Sequence, residues 1–314
     1  MSLNESSILR ALTLDNVRRG LKIGYMMFKS SIKHIPLSAN YEITYKCNLN
    51  CEHCYFNKAV KEKLEQGIPT TELTDKQWIK NFKYHRSLGV RSAALTGGEP
   101  TLRMKLLFEA NKIFDFIQIA TNGVIKMPKF PGKQPVIWNS LDGAAETHNK
   151  IRGAKIFDRV ISNIQDDKRI YIISSISSSN YNEIDEIAKI SYDANVAGLF
   201  LIFYTGYPKD PLLLNPKQWR KAIQRISKVK EDYGDFVIIT KKMLETYITK
   251  AHVKDCGFKN GSAASYFPNG EKKYCVMGNS PALCANCGCV VPVISHCLSK
   301  FDPETIELMK NVPF

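Results

Sequence analysis

The sequence lacks any continuous apolar run of the roughly 18 residues that a membrane-spanning helix requires. Its first residues also lack the long apolar stretch and small-residue cleavage site of a secretory signal peptide, which predicts a cytoplasmic protein. No low-complexity segment is present, and 44% of the 314 residues are apolar. These features exclude a disordered chain and predict a globular protein with a sizeable core.

Acidic residues are few relative to basic ones. The chain has 30 Asp and Glu against 44 Lys and Arg, which gives a formal net charge of +14. A basic surface favours nucleic acid, anionic membranes or phosphate-bearing substrates as partners, but it is also compatible with a simple solvated, Lys-rich surface. Charge alone does not choose among these.

Hydrophobic periodicity divides the chain into three parts. Residues 1–35 contain a basic amphipathic helix, which either lies on a membrane surface or packs on the domain that follows. Residues 36–205 alternate short strands with helices, which predicts an α/β fold: a partial (β/α)6 TIM-like barrel with its functional loops at the carboxyl ends of the strands. Residues 206–314 form a Cys-rich extension with a metal site of its own. The predicted strands are Tyr41–Tyr45, Ser92–Leu95, Ile117–Thr121, Val136–Ser140, Ile170–Ser175 and Leu199–Tyr204.

Three cysteines follow the first predicted strand with the spacing C-x3-C-x2-C, namely Cys47, Cys51 and Cys54. Three thiolates on a short loop can bind three irons of a 4Fe–4S cluster and leave the fourth iron open to a ligand. A zinc site completed by a distant Cys or His is the alternative that three cysteines leave open. The nine cysteines fall into two groups in a chain without a secretory signal, which favours metal binding over disulfides.

A Thr-Gly-Gly-Glu-Pro segment ends at Pro100, directly after the second predicted strand. With the cysteine motif, it resembles the radical S-adenosylmethionine (SAM) superfamily over roughly residues 40–205. The resemblance implies that Cys47, Cys51 and Cys54 bind a 4Fe–4S cluster whose open iron is chelated by SAM. It also implies SAM contacts from His53, near the adenine, and from Gly97, Gly98, Glu99 and Pro100, near the amino group.

Two further stretches are similar to this superfamily. Asn122 lies in an Ala-Thr-Asn-Gly turn after the third strand, and the resemblance places it near the ribose or substrate. A Ser-Leu-Asp-Gly stretch begins at Ser140, which would lie near SAM, and Arg152 downstream would pair with the SAM carboxylate. The alternatives are that Asp142 caps a helix and that Arg152 forms a surface salt bridge. Asn180, after the fifth strand, is a further candidate polar contact.

The extension contains the other six cysteines. They resemble the SPASM and twitch extensions of radical SAM enzymes, although the full SPASM set is not matched. The resemblance implies one auxiliary 4Fe–4S cluster, with zinc or free thiols as alternatives. The expected ligands are Cys256, Cys275, Cys284 and Cys287, with Cys289 and Cys297 in reserve.

The resemblance implies that the reduced cluster cleaves SAM to a 5′-deoxyadenosyl radical, which attacks an unactivated carbon. A ferredoxin- or flavodoxin-type protein would supply the electron. The segments Lys22–Lys29 and Ile43–Cys47 are similar to those of lipid-modifying members, the adenosylhopane synthase-like and calditol synthase-like enzymes. We therefore expect a membrane lipid or its headgroup as substrate, with peripheral contact at the inner membrane face.

Two other functions remain open. The Ser-Leu-Asp-Gly stretch and the Cys-rich extension suggest peptide or protein maturation, and another small-molecule substrate is a related possibility. A non-catalytic metal-cluster protein that binds nucleic acid is compatible with the charge. The intact Gly-Gly-Glu-Pro segment argues against it, because a binding module has no use for a SAM site, so nucleic acid is not an expected partner.

Overall fold

The computed structural model describes residues 36–65, 67, 70–310 and 312. The amino-terminal helix expected within residues 1–35 lies outside this range. The first half of the described chain contains β1 (Ser38–Glu42), α1 (Tyr55–Glu65), α2 (Asp75–Leu88), β2 (Ser92–Thr96), α3 (Met104–Ile113), β3 (Phe116–Thr121), β4 (Val136–Ser140) and α4 (Ala145–Arg152). It continues with α5 (Phe157–Ile164), β5 (Ile170–Ile176), α6 (Ile184–Asp193), β6 (Gly198–Phe203), α7 (Pro216–Tyr233), α8 (Lys241–Thr249), α9 (Gly257–Asn260), β7 (Ala263–Tyr266), β8 (Lys272–Lys273), α10 (Val290–Ser299) and α11 (Pro303–Lys310).

The strands β1 to β6 form a parallel sheet in sequential order, and helices lie in all the connections except that between β3 and β4. This confirms the predicted α/β fold, a partial TIM-like barrel. Parallel strands buried on both faces are rich in apolar residues, as β6 (Gly-Leu-Phe-Leu-Ile-Phe) is here. The carboxyl ends of all six strands meet at one edge, so the loops that follow them are brought together.

Helix α2 shows how the outer layer is built. Thr74 caps its amino end by accepting a hydrogen bond from the backbone N–H of Gln77, and Gly89, with φ of 127°, ends it. The helix buries Trp78 and Phe82, whose rings lie 5.9 and 5.0 Å from that of Tyr41 on β1. This aromatic contact fixes the helix layer against the first strand.

The carboxyl-terminal extension joins the barrel sheet. Strand β7 pairs in parallel with β1, from Ser38 opposite Ala263 to Tyr41 opposite Tyr266. Strand β8 pairs antiparallel with β7, so the sheet order is β6-β5-β4-β3-β2-β1-β7-β8. Strand β1 is therefore interior to the sheet, and the Cys-rich segment begins next to the cluster loop.

The first strand differs from its predicted bounds, because it ends at Glu42 rather than Tyr45. After Glu42 the chain leaves the strand geometry and curls over the loop that follows β2. There the carbonyl oxygens of Thr44 and Lys46 accept hydrogen bonds from the backbone N–H groups of Gly98 and Glu99, at 2.9 Å each. Among the described residues, no helix is both long and apolar enough to cross a bilayer.

Candidate cofactor site

The three clustered cysteines lie on the loop between β1 and α1, at the carboxyl edge of the sheet. Burial, with smaller contributions from Glu99, Cys51 and Cys54, raises the pKa of Cys47 to about 11. Burial likewise raises the pKa of Cys51 and of Cys54. Iron binding replaces the thiol proton, so a metal would relieve the cost of holding three nearby thiolates in a partly buried loop.

Gly97 and Gly98 bring two loops of the chain itself into contact. Gly97 has a φ of +120°, and a Cβ there would lie 2.7 Å from the carbonyl oxygen of Thr44. A Cβ on Gly98 would overlap the carbonyl of Lys46. The glycines are thus required by packing against the cluster loop, whereas the sequence suggested that they allow close approach of SAM.

Glu99 is buried, and its carboxylate accepts four hydrogen bonds within the protein. The backbone N–H and hydroxyl of Thr101 donate at 3.0 and 2.7 Å, the hydroxyl of Thr121 at 2.9 Å, and the backbone N–H of Asn122 at 2.9 Å. Glu99 therefore ties the end of β2 to the end of β3, and its contact with the SAM amino group stays a prediction. Pro100 begins the short 3-10 turn that follows.

Asp142 and Arg152 form a buried ion pair beside the cluster loop. The Arg152 Nη2 and Asp142 Oδ2 atoms are 2.5 Å apart, and Arg152 Nη1 lies 3.9 Å from the sulfur of Cys51. Arg152 thus binds an internal carboxylate, neither a surface partner nor a free ligand. Asp142 does not cap the next helix, because the residue at the cap of α4 is Ala144.

His53 faces the same carboxylate, with its Nε2 atom 3.8 Å from Asp142 Oδ2. Burial lowers its pKa to about 4, so the ring is neutral near neutral pH. The His53 Nδ1 and Arg152 Nε atoms are buried and lack protein hydrogen-bond partners in the described structure. Buried polar atoms of this kind are normally satisfied, so these two atoms are available to a polar ligand.

The remaining predicted contacts occupy the same edge of the sheet. Asn122 is buried and donates from its side chain to Asn48 Oδ1 in the cluster loop, at 2.8 Å. Ser140 is half-buried at the end of β4, the strand next to β3. Asn180 is buried and fully engaged, since its side chain donates to the carbonyls of Asp142 and Ser175.

The structure places five of the six carboxyl-terminal cysteines around one cavity, namely Cys256, Cys275, Cys284, Cys287 and Cys289. Cys297 lies elsewhere, buried with its sulfur 3.5 Å from the hydroxyl of Thr246. No three Cys, His, Asp or Glu side chains in the described ranges converge closely enough to hold a single metal ion. A 4Fe–4S cube binds each thiolate through a different iron, and both cysteine groups offer the thiol donors that it takes.

The Cys-rich segment is attached to the end of β6. The backbone N–H of Gly288 donates to the Thr205 hydroxyl at 2.9 Å, and its carbonyl accepts from the N–H of Phe203 at 3.3 Å. A Cβ on Gly288 would overlap the Phe203 carbonyl. The position of this segment relative to the barrel is therefore fixed.

A second, larger cavity lies between the cluster loop and the extension. Its volume is about 240 Å³, and Thr205, Met277 and Leu283 line both it and the five-cysteine cavity. It opens beside Tyr55, which directly follows Cys54. The aromatic residues that line this cavity are Tyr45, Tyr55, Phe56, Tyr204, Tyr207 and Phe267. The charged residues that line it are Lys58, Lys63, Lys273 and Asp210.

Sequence reasoning missed several residues of this region. Glu42 and Lys273 form a buried ion pair, and Tyr55 donates to Glu42 at 3.0 Å. The spacing of these residues gave no signal, because the pair joins strands more than 200 positions apart. The sequence did not indicate that Asp142 and Arg152 pair with each other, because Arg152 was expected to pair with the SAM carboxylate.

The sequence of the chain is similar to those of known proteins. The sequence model of the Radical SAM superfamily matches residues 41–212. The sporulation killing factor maturation protein SkfB of Bacillus subtilis is 28% identical over 188 residues, covering 55% of this chain and 43% of that protein. The AdoMet-dependent heme synthase of Methanosarcina barkeri is 25% identical over 209 residues, covering 62% and 58%. The chain spans about half the length of these curated relatives.

Solved structures show the same fold. The crystal structure of Streptococcus suis SuiB bound to precursor peptide SuiA superposes with a TM-score of 0.58 at 16% identity, covering 84% of this chain and 66% of that one. The family match spans more than half of the chain and includes both the cluster loop and the Gly-Gly-Glu-Pro segment. The chain therefore belongs to the radical SAM superfamily, whose members are SAM-dependent enzymes built on a 4Fe–4S cluster.

Proposed function

We propose that this enzyme modifies a peptide or protein substrate by radical SAM chemistry. The observation that carries the proposal is the aromatic cavity of about 240 Å³ between the cluster loop and the Cys-rich extension. Its lining combines six aromatic rings with three lysines and one aspartate, which suits the mixed apolar and polar side chains of a peptide. A peptide therefore replaces, in this proposal, the lipid substrate expected from the sequence.

The relatives support the same choice. SkfB is named as the maturation protein of a sporulation killing factor, and SuiB is solved with its precursor peptide. The heme synthase shows that a small molecule is also accepted within the family. Peptide modification agrees best with both the cavity and these names.

The residues of the site take the following roles in this proposal. Cys47, Cys51 and Cys54 hold the 4Fe–4S cluster. The buried Asp142–Arg152 ion pair, which lies beside Cys51, holds the cluster loop in position. Ser140 and the unpartnered Arg152 Nε contact SAM, as does His53 Nδ1. When bound, the cluster and SAM supply a 5′-deoxyadenosyl radical that takes a hydrogen atom from the substrate. The aromatic walls hold the substrate side chain in a fixed orientation and keep water away from it.

We also propose an auxiliary 4Fe–4S cluster in the five-cysteine cavity, in keeping with the extension predicted for residues 206–314. The shared wall of Thr205, Met277 and Leu283 places this cavity next to the substrate cavity. A basic surface suits an acidic reductase, so a ferredoxin- or flavodoxin-type donor remains the proposed source of electrons.

The test is SAM cleavage by the anaerobically reconstituted, reduced full chain, with peptide extract or lipid extract added separately. We expect 5′-deoxyadenosine formation to rise with peptide and to be unchanged by lipid. Stimulation by lipid alone would restore the lipid substrate and overturn the proposal. The control is the Cys47→Ala, Cys51→Ala, Cys54→Ala triple variant, which we expect to form no 5′-deoxyadenosine in any arm.

A further inference from the structure

The aromatic cavity between the cluster loop and the extension carries one positive charge, that of Lys63, which no carboxylate in the described part of the chain pairs with. We infer that Lys63 binds a carboxylate of the peptide substrate, so that the enzyme prefers acidic peptide segments over neutral ones. This inference rests on the peptide substrate proposed above and adds the charge of the segment that is bound.

The other charged residues of the cavity are already paired. Lys273 pairs with the buried Glu42, and the Lys58 ammonium lies 3.6 Å from a carboxylate oxygen of Asp210. Three ammonium groups set against these two carboxylates leave one positive charge, on Lys63, for which the described residues supply no ion-pair partner. An anionic ligand group is the partner that this charge attracts, and the attraction is stronger in a partly enclosed cavity than in open water.

Helix α1 presents Lys63 to the cavity. Phe56, Val60 and Lys63 follow the helical spacing of four and then three positions, and all three line the cavity. The Lys63 ammonium lies 4.5 Å from the ring centre of Phe267, in the extension, and 5.9 Å from that of Tyr45, in the cluster loop. Aromatic faces attract a cation but carry no net charge. The two rings therefore hold the ammonium at the cavity wall and leave its charge available to a ligand.

The position of Lys63 along α1 separates it from the reacting atoms. The helix begins at Tyr55, directly after Cys54, and Lys63 follows eight positions later. At about 1.5 Å of rise per residue, Lys63 lies about 12 Å along the helix axis from the cluster loop. An extended peptide covers this distance in roughly three to four residues. Lys63 is thus placed to bind a remote part of the substrate and to orient it, as a residue that determines specificity.

The experiment measures which peptides the full chain retains. The anaerobically reconstituted chain, with SAM, is immobilised and offered two pools of short synthetic peptides of random sequence, blocked at both ends. The pools are identical except that one has Asp and Glu where the other has Asn and Gln. We expect the acidic pool to bind about tenfold more tightly than the amide pool, because the former can form a charged hydrogen bond with Lys63. A third pool, with the amide composition and a free carboxyl end, shows whether a terminal carboxylate takes the same place.

Three variants assign the preference to one residue. Lys63→Gln removes the charge and should abolish the preference, and Lys63→Glu should reverse it towards a pool with Lys and Arg at the same positions. Lys61→Glu is the matched control, because it makes the same change of net charge at an exposed position on another side of α1, and it should keep the preference. The iron content of each reconstituted variant checks that it folds. If Lys63→Glu does not fold, Lys63→Gln and the unmodified chain decide the result.

Equal retention of the acidic and amide pools by the unmodified chain would overturn the inference and leave the peptide substrate standing. Loss of the preference in Lys61→Glu to the same extent as in Lys63→Glu would also overturn it, because the net charge alone would then explain the binding. The inference fails as well if no peptide pool is retained. Stimulation of SAM cleavage by lipid alone would, in addition, remove the proposed function.

Discussion

Lys273 of the extension and Glu42 of the first barrel strand form an ion pair whose side chains are 1% and 0% exposed. The Lys273 ammonium also lies 5.1 Å from the ring centre of Tyr55, whose hydroxyl donates to Glu42. The pair thus joins β8, β1 and the residue after Cys54. Lys273 also lines the aromatic cavity between the cluster loop and the extension.

We expect Lys273→Met to lower the free energy of unfolding by about 3–5 kcal/mol, because Glu42 would be left as an uncompensated buried charge. The double variant Lys273→Met, Glu42→Gln should recover much of this loss, since no charge then remains unpaired. Urea unfolding of the reconstituted protein measures both. Equal stability of the single and double variants would contradict this account.

The contact between Gly97 and the cluster loop predicts a local effect. Gly97→Ala should displace Thr44 and with it the cysteine loop, so the chain should lose the iron of the first cluster and keep that of the second. Gly132→Ala is the matched control, since Gly132 also has a positive φ but nothing lies within 4 Å of its added Cβ. Iron content and the visible absorption spectrum distinguish the two variants.

The contact between Arg152 and Cys51 predicts a change in redox potential. Arg152→Lys keeps the charge beside Asp142 but loses the planar group that reaches both Asp142 and the Cys51 sulfur. A donor near a cluster thiolate stabilises the more negative, reduced cluster. We therefore expect the midpoint potential of the first cluster to become more negative in the variant, as measured by a redox titration followed by EPR. An unchanged potential would show that the arginine serves only to hold Asp142.

His148 predicts a pH dependence of stability. Its Nδ1 accepts the backbone N–H of Asp142 at 3.2 Å, and burial, followed by the charge of Arg152, lowers its pKa to about 4. The unfolded chain takes up this proton at a pKa of about 6.5, so stability is lost as pH falls from about 6.5 towards 4. Urea unfolding at about pH 7 and about pH 5 should show a smaller difference for His148→Gln than for the unmodified chain. Equal differences would mean that other groups cause the loss.

Local sequence patterns were sufficient to predict the barrel. They also predicted that the loop with Cys47, Cys51 and Cys54 lies at the carboxyl edge of the sheet. The C-x3-C-x2-C spacing and the Gly-Gly-Glu-Pro segment each follow a strand, and both lie at the carboxyl edge of the sheet in the structure. Helix α2, from Asp75 to Leu88, begins after the capping residue Thr74 and ends before Gly89. These features depend on neighbours in the sequence, which is why they could be predicted.

The hydrogen-bond partners within the site could not be predicted in the same way. Nothing in the sequence indicated that the Glu99 carboxylate accepts hydrogen bonds from Thr101, Thr121 and Asn122, two of which come from another strand end. The pairing of β1 with β7 leaves no periodic signal, because Asn40 and Ser265 contact each other across 225 positions. Hydrogen-bond partners that only tertiary packing brings together cannot be predicted from the spacing of residues in the sequence.

The parallel pairing of β7 with β1 has a consequence for how the chain is made. The free side of β1 remains a row of unpaired backbone groups until residues 263–266 have left the ribosome, since only then is its partner available. A chain shortened before this point would keep that open edge, and open edges recruit strands from other molecules. We therefore expect shortened forms that contain only the barrel to self-associate during expression, whereas the full chain covers the edge with its own last strands.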